Sequence, residues 1–217
     1  MSDRSSEACS AALLKAGVPP AGLLVDYMVQ LLDWNEKINV TGAKNPEELA
    51  MKHVADVWGA AQALGGVSGE VADVGSGGGI PGIILAILSP DSRVTLVERR
   101  QKKAAVLSSI VSKMGLDRRV RVVAKSFEEI KTFPRETEYW FRGFLPGPKL
   151  ATYLSESFPK GDIGQLILMK GPAWPDEKLE TMGTPRVRQI WLDRFGGAAE
   201  IPYTLPAGAG ERLLVVV

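Results

Sequence analysis

The chain has 217 residues, 45% hydrophobic and 24% charged, which suits one globular domain with an appended segment and argues against a disordered or fibrous protein. Its formal net charge of +1 gives no global sign of a polyanionic partner. A single cysteine, Cys9, and a single histidine, His53, exclude a disulfide framework and any multi-histidine metal site within one chain. No apolar run of about 18 residues occurs, and the first residues lack the apolar stretch of a signal peptide, so no membrane partner is expected and the expected compartment is the cytoplasm.

Helical spacing opens the chain. A weak helix is expected over 4–16. A second, over 22–36, places Leu24, Met28, Leu31 and Leu32 on one face. A third, over 46–65, has Asn45 as its N-cap, Pro46 at the first position and Glu47 and Glu48 in the first turn. Its apolar face is Ala50, Val54, Val57, Trp58, Ala61 and Leu64. After Gly65 strands alternate with helices: strand 71–74, helix 82–89, strand 94–97, helix 101–115, strand 120–124, a weaker strand 138–141, helix 148–158, strand 163–169 and a short helix 175–182. Residues 186–192 and 213–217 read as a closing antiparallel pair, joined through a loop at 196–210 rich in glycine, proline and alanine. Such alternation implies a mostly parallel sheet with right-handed crossovers. The expected division is a helical segment over 1–66 packed on a Rossmann-like domain over 67–217.

The strongest motif lies between the first strand and the helix after it. Asp73, Gly75, Gly77 and Gly79 form an acid followed by alternate glycines, and Ile80-Pro81-Gly82 opens the helix. Glycines allow a ligand to approach the backbone, and the position is the crevice at the carboxyl ends of the strands. Gly77, Gly79 and Gly82 also match a dinucleotide fingerprint. Charge favours the other reading. The Asp73 carboxylate would repel a pyrophosphate but suits the sulfonium and ammonium of S-adenosylmethionine, and Pro81 removes an N–H that a pyrophosphate would use. Glu98, ending the second strand, is placed to accept from ribose hydroxyls in either case. Ser126, Phe127 and Glu128 follow the third strand, where an adenine could be held.

These pieces occur together with Leu32-Asp33-Trp34-Asn35-Glu36-Lys37-Ile38-Asn39-Val40-Thr41, with Lys52-His53-Val54-Ala55-Asp56, with Lys102-Lys103 after Glu98, with Lys170-Gly171 and with Gly210-Glu211-Arg212. In that order they resemble the RsmG, or GidB, family of small-subunit ribosomal RNA methyltransferases, from about Ala21 to the C-terminus. The resemblance implies an α/β class I S-adenosylmethionine-dependent methyltransferase, Rossmann-like, with a mostly parallel seven-stranded sheet and an N-terminal helical extension. It implies methyl transfer to N7 of a guanine in 16S ribosomal RNA, with 16S RNA or the small ribosomal subunit as partner, S-adenosylhomocysteine as product, no metal, and a monomer. Family cofactor positions carry over to Gly75, Ile80, Phe127, Glu128 and Arg142. With the residues read above, the expected cofactor set is Asp73, Gly75, Ser76, Gly77, Gly79, Ile80, Glu98, Ser126, Phe127, Glu128 and Arg142. The run Trp140-Phe141-Arg142-Gly143-Phe144 departs from the family, which has a small residue and then Arg-Ala, and Lys52 stands where arginine is usual.

Guanine N7 carries no proton, so attack on a sulfonium methyl needs no general base, and positioning and exclusion of water supply the acceleration. The sequence offers no convincing nucleophile–base pair; His53 and Asp56, one turn apart, could pair with each other. Arg142 and Lys170 are the expected catalytic residues, contacting O6, phosphate or cofactor. Arg142 is expected to face solvent and to carry little of the fold's stability. Lys102, Lys103, Lys170 and Arg212 are the expected RNA contacts, and Phe144 or Trp174 an aromatic platform for the base. Residues 99–125 hold nine positive charges against one negative, a stripe that could track phosphates. Competing readings are a methyltransferase for another RNA or a small molecule, a nicotinamide-dependent oxidoreductase, and a non-catalytic RNA-binding module.

Overall fold

The computed structural model describes residues 5–130, 132–157, 164–208 and 210–217. Helix α1 (Ser6–Lys15) starts where the Ser5 hydroxyl accepts from Ala8 N–H, and α2 (Gly22–Asn35) buries Leu24, Met28, Leu31 and Leu32, the face its spacing predicts. The third helical run starts where the Asn45 side chain accepts from Glu48 N–H. It is α3 (Pro46–Leu49), a π-helical turn (Ala50–Val54) and α4 (Ala55–Ala63) in succession. The sheet then builds as β1 (Glu70–Val74), α5 (Gly82–Leu88), β2 (Arg93–Val97), α6 (Gln101–Lys113), β3 (Val120–Val123), β4 (Glu138–Arg142), α7 (Gly147–Ser157), β5 (Leu166–Lys170), α8 (Trp174–Gly183), α9 (Pro185–Phe195), β6 (Ala199–Thr204) and β7 (Glu211–Val216).

The seven strands lie in the order β3-β2-β1-β4-β5-β7-β6, with β7 antiparallel to both β5 and β6 and the others parallel. This is the sheet expected from the sequence, and the reversal between β1 and β4 places a crevice at the strands' carboxyl ends. The apolar residues of α1, α2, α4, α5 and α6 share one core against one face of the sheet. Helices α7, α8 and α9 bury Leu150, Leu154, Trp174 and Trp191 against the other. The connection from β3 to β4 carries only a 3-10 turn (Phe127–Glu129) among its described residues. No helix of the described residues is long and apolar enough to cross a membrane.

Two expectations at the C-terminal end are corrected. Residues 186–192 are helix, inside α9, and the partner of β7 is β6, inside the stretch read as a loop. Pro185 sits at the first helical position of α9, a start signal that outweighs the β-branched Val187 and Ile190. Strand β6 tolerates Pro202 because it is the edge of the sheet, where a missing N–H breaks no ladder. Strand β5 begins at Leu166; Ile163, where the sequence placed its start, lies outside the described residues.

Candidate active site

The loop leaving β1 is held from three sides. The backbone N–H groups of Gly75 and Ser76 both donate to Val97 O at the end of β2. Asp73 Oδ2 accepts from Gly82 N–H at 3.0 Å, and Tyr27 of α2 donates its hydroxyl to Gly78 O at 2.9 Å. The Trp-Asn…Asn-x-Thr block is the fourth support. Asn35 Oδ1 accepts from both Val40 and Thr41 N–H, and its Nδ2 donates to Ala43 O, which presses the Val40 carbonyl against Gly78. Gly75 adopts φ +82, and a Cβ there would stand 2.8 Å from the Phe144 ring, so glycine is required for both reasons.

Beside this loop is a crevice of about 510 Å³, lined by Gly75, Gly77, Glu98, Lys103, Ser126, Phe127 and Glu128 and closed by Phe144. Glu98 is buried at its edge; its Oε2 accepts from Gly77 N–H at 3.0 Å and its Oε1 from Arg100 N–H at 2.8 Å. Ser126 and Glu129 form a capping box that fixes the start of the Phe127 turn. The Phe127 ring stacks with Phe133 and meets Tyr139 edge-on.

A second cavity of about 530 Å³ adjoins the first, and the two share Gly143, Phe144 and Leu145. Its charged lining is Lys52, Arg142, Lys170 and Arg212 against Asp56 and Glu177, two more cations than carboxylates. Asp56 of α4 is its fixed point. Oδ2 accepts from Arg142 Nε at 2.9 Å, Oδ1 accepts from the Tyr203 hydroxyl at 2.7 Å, and Arg212 Nε stands 3.9 Å away. Arg142 Nη2 also donates to Lys52 O at 2.8 Å. Burial, and then the Asp56 charge, push the Tyr203 phenol upward, so it remains a donor. Lys170 donates to Glu177 Oε2 at 2.8 Å and lies 4.9 Å from the Trp174 ring centre.

Several roles expected from the sequence change in the light of this geometry, beginning with the acid before the glycines. Asp73 is only 1% exposed and lines neither cavity; it caps the first N–H of α5, and burial raises its carboxyl to about 7 against the Gly82 hydrogen bond. Ser76 is buried with its hydroxyl on Asp73 O, Ile80 packs into the core, and Gly79 faces Ile83 and Leu107; they shape the loop from behind. Arg142 lines the second cavity, not the first, and is an anchored side chain, not a solvent-facing one. His53 does not pair with Asp56: its Nδ1 is buried with no hydrogen-bond partner among the described residues, and burial, then Arg142, lower its pKa to about 4. Lys103 lines the crevice, Lys102 is exposed beside it, and Arg212 lines the second cavity. Phe144 stands at the junction where a base platform is wanted, whereas Trp174 is a core residue donating to Glu200. Tyr203 carried no signal, because its strand reads as loop.

The basic run divides. Arg99, Arg100, Lys103 and Lys125 rim the crevice, while Arg118, Arg119 and Arg121 lie at the opposite ends of the strands. Among the described residues no cluster of three or more histidine, cysteine, aspartate or glutamate side chains could hold a metal ion.

The family described as rRNA small subunit methyltransferase G, GidB, matches residues 21–193. The Ribosomal RNA small subunit methyltransferase G of Stenotrophomonas maltophilia is 31% identical over 224 residues, covering 100% of this chain and 99% of that protein. The Bordetella avium protein of the same name is 29% identical over 215 residues, covering 89% and 94%. Among solved structures, a putative O-methyltransferase from Klebsiella pneumoniae superposes with a TM-score of 0.56 at 16% identity, covering 97% of this chain and 96% of that one. An O-methyltransferase from Bacillus cereus, in complex with SAH, does so with a TM-score of 0.51 at 17% identity, covering 87% and 89%.

Proposed function

This chain belongs to the rRNA small subunit methyltransferase G family, and from that premise we propose that it methylates N7 of a guanine in 16S ribosomal RNA, acting as a cytoplasmic monomer on the small ribosomal subunit. It is an S-adenosylmethionine-dependent ribosomal RNA methyltransferase. The observation that carries the finer reading is the meeting of two cavities at Gly143-Phe144-Leu145, one glycine-walled around a buried carboxylate, the other cationic.

The residues present fit the cofactor. Glu98 offers a buried carboxylate to ribose hydroxyls, and the Gly75 backbone is bare toward the crevice. Ser126, Phe127 and Glu128 line the crevice too, where an adenine would lie. A pyrophosphate does not fit as well. Pro81 offers no N–H, and Asp73 already takes that of Gly82, so the N-terminus of α5 is neutralised from within. This argues against the nicotinamide reading. The bound cofactor supplies an electrophilic methyl on a sulfonium.

The chain's part is orientation. Arg142, with two of its nitrogens already fixed, and Arg212 present donors to an acceptor edge such as guanine O6 or to a phosphate, without needing to touch N7. Lys170 is neutralised by Glu177, so it serves the pocket's shape and field more than as a free cation. Phe144 offers a stacking face at the junction. We also assign residues 1–66 as a helical segment that buttresses the catalytic domain of 67–217. The test is transfer of labelled methyl groups to small subunits lacking the modification, with the product base mapped. Label on an exocyclic amine or a ribose would refute the N7 assignment, and label on protein or small molecules alone would refute the substrate.

A further inference from the structure

We propose that the groove at the amino ends of β1, β2 and β3 is a second RNA-backbone contact surface, so that the enzyme holds its folded substrate at both ends of the sheet. The inference rests on the ribosomal RNA reading above and extends it to how the RNA is engaged. The groove has a volume of about 700 Å³, and Arg93, Arg118, Arg119 and Arg121 line it with only Glu70 and Asp117 opposing them.

Strand register makes this clustering hard to ascribe to folding. Val94 pairs with Val120 and Thr95 with Arg121, and Val94 N–H donates to Arg119 O in the turn before β3, so Arg119 and Arg121 both lie next to the start of β2 at Arg93. Like charges on neighbouring strands destabilise a sheet. Glu70 relieves Arg93 only at 3.8 Å, and the Arg93 side chain is 76% exposed. Arg119 is anchored by donating to Ala86 O at the end of α5, which holds one guanidinium in place within the cluster. Arg118 and Arg121 are exposed and have no hydrogen-bond or ion-pair partner among the described residues.

The face is open for a reason visible in the topology. Val120 and Val122 turn toward the core shared with α6, and Arg121 turns to the other side, where the β3–β4 connection supplies the Phe127 turn and no helix among its described residues. Phe133 and Pro134 form the groove's remaining wall. A five-residue strand spans about 17 Å. The groove therefore lies about that far from Arg99, Arg100, Lys103 and Lys125, which rim the crevice along the same β2–β3 edge. Arginines at both ends of one edge match a phosphate backbone running along it. A short single strand in the crevice would not reach the groove, whereas a folded RNA would.

The test compares wild type with the double variants Arg118→Glu/Arg121→Glu and Arg118→Lys/Arg121→Lys. Three readouts are taken: binding to protein-free 16S RNA as a function of salt, methylation of that RNA and of small subunits, and methylation of a short oligoribonucleotide carrying the target guanine. The glutamate variant is expected to bind 16S RNA at least about tenfold more weakly, with a salt slope smaller by roughly 1.5–2. Its KM on the long substrates should rise, with kcat and oligonucleotide methylation unchanged, and the lysine variant should keep most of the affinity. Equal binding and an equal salt slope in the glutamate variant would overturn the proposal. So would a defect confined to assembled subunits, which would assign the groove to a ribosomal protein. If wild type bound 16S RNA but methylated neither that RNA nor small subunits, with binding still sensitive to the two arginines, the groove would stand and the catalytic reading would fall.

Discussion

Replacing Arg142 by alanine removes the guanidinium that joins β4 to α4 and leaves the Asp56 carboxylate behind. That carboxylate is 8% exposed, and its remaining partners are the Tyr203 hydroxyl and Arg212 at 3.9 Å. Deleting one member of a buried pair costs about 3–5 kcal/mol. Here the guanidinium is 20% exposed, and Arg212 can move the short distance to Asp56, so about 2 kcal/mol is expected. For a chain of this length that lowers the thermal midpoint by about 4–8 °C. Single-turnover methyl transfer should fall at least about tenfold, equal to about 1.4 kcal/mol in the barrier. Lysine should rescue poorly, since one ammonium cannot copy the fork that reaches both Asp56 and Lys52 O. The decisive assay is a double-mutant cycle of Arg142→Met and Asp56→Asn followed by thermal and denaturant unfolding. The pair should couple by about 1–2 kcal/mol, the double variant being less damaged than the sum of the singles. A midpoint for Arg142→Ala within about 1 °C of wild type, or additivity within about 0.5 kcal/mol, would refute the reasoning and return Arg142 to a peripheral role.

Glu98→Gln should weaken S-adenosylmethionine binding by about tenfold or more, because a charged acceptor worth about 1.5–3 kcal/mol is lost and the Gly77 N–H is held less firmly; calorimetric titration with unchanged affinity would contradict it. Gly75→Ala should cost about 1–2 kcal/mol for the left-handed backbone and displace the Phe144 ring, so both stability and methyl transfer should drop, and an alanine variant with wild-type kinetics would show that the crevice lies elsewhere. His53 is held neutral in the fold, with its pKa near 4 against an ordinary 6.5. The unfolded chain therefore binds a proton between those values that the fold does not, and this group's contribution, present above pH 6.5, is lost as pH falls toward 4. The raised carboxyl of Asp73 acts in the opposite sense, stabilising at low pH and losing that contribution as pH rises through about 7. Urea unfolding of His53→Asn at about pH 7.5 and about pH 5 should thus show a smaller loss on acidification than wild type, and an equal loss would mean that the imidazole is not the responsible group.

The central parallel strands are legible in the sequence because they are buried on both faces and read as short apolar runs, such as Leu166–Lys170. The crevice beside the glycine loop is legible because glycine spacing expresses a backbone requirement directly. The C-terminal edge is not. An edge strand needs neither alternation nor freedom from proline, so Ala199–Thr204 looks like a loop, and the pattern of Pro185–Phe195 is too short to separate helix from strand by period. The second cavity is hidden for a different reason. Asp56 lies 86 positions from Arg142 and 147 from Tyr203, and local pattern has no access to such partners. Asp73 shows the limit of reasoning from charge alone: a carboxylate beside a ligand loop can serve the loop and not the ligand.

The shared core of α1, α2 and the sheet has a consequence for biosynthesis. Helix α2 packs on α5 and α6, which are translated after it. The first helices therefore leave the ribosome with only α1 and α3 to pack on α2, and the packing of its apolar face is not complete until the chain as far as Lys113 has emerged. Their order is postponed, and the nascent segment is a ready client for a holding chaperone during that interval. Synthesis arrested before α6 should yield a protease-sensitive N-terminus, and protection should arrive once α6 has been added.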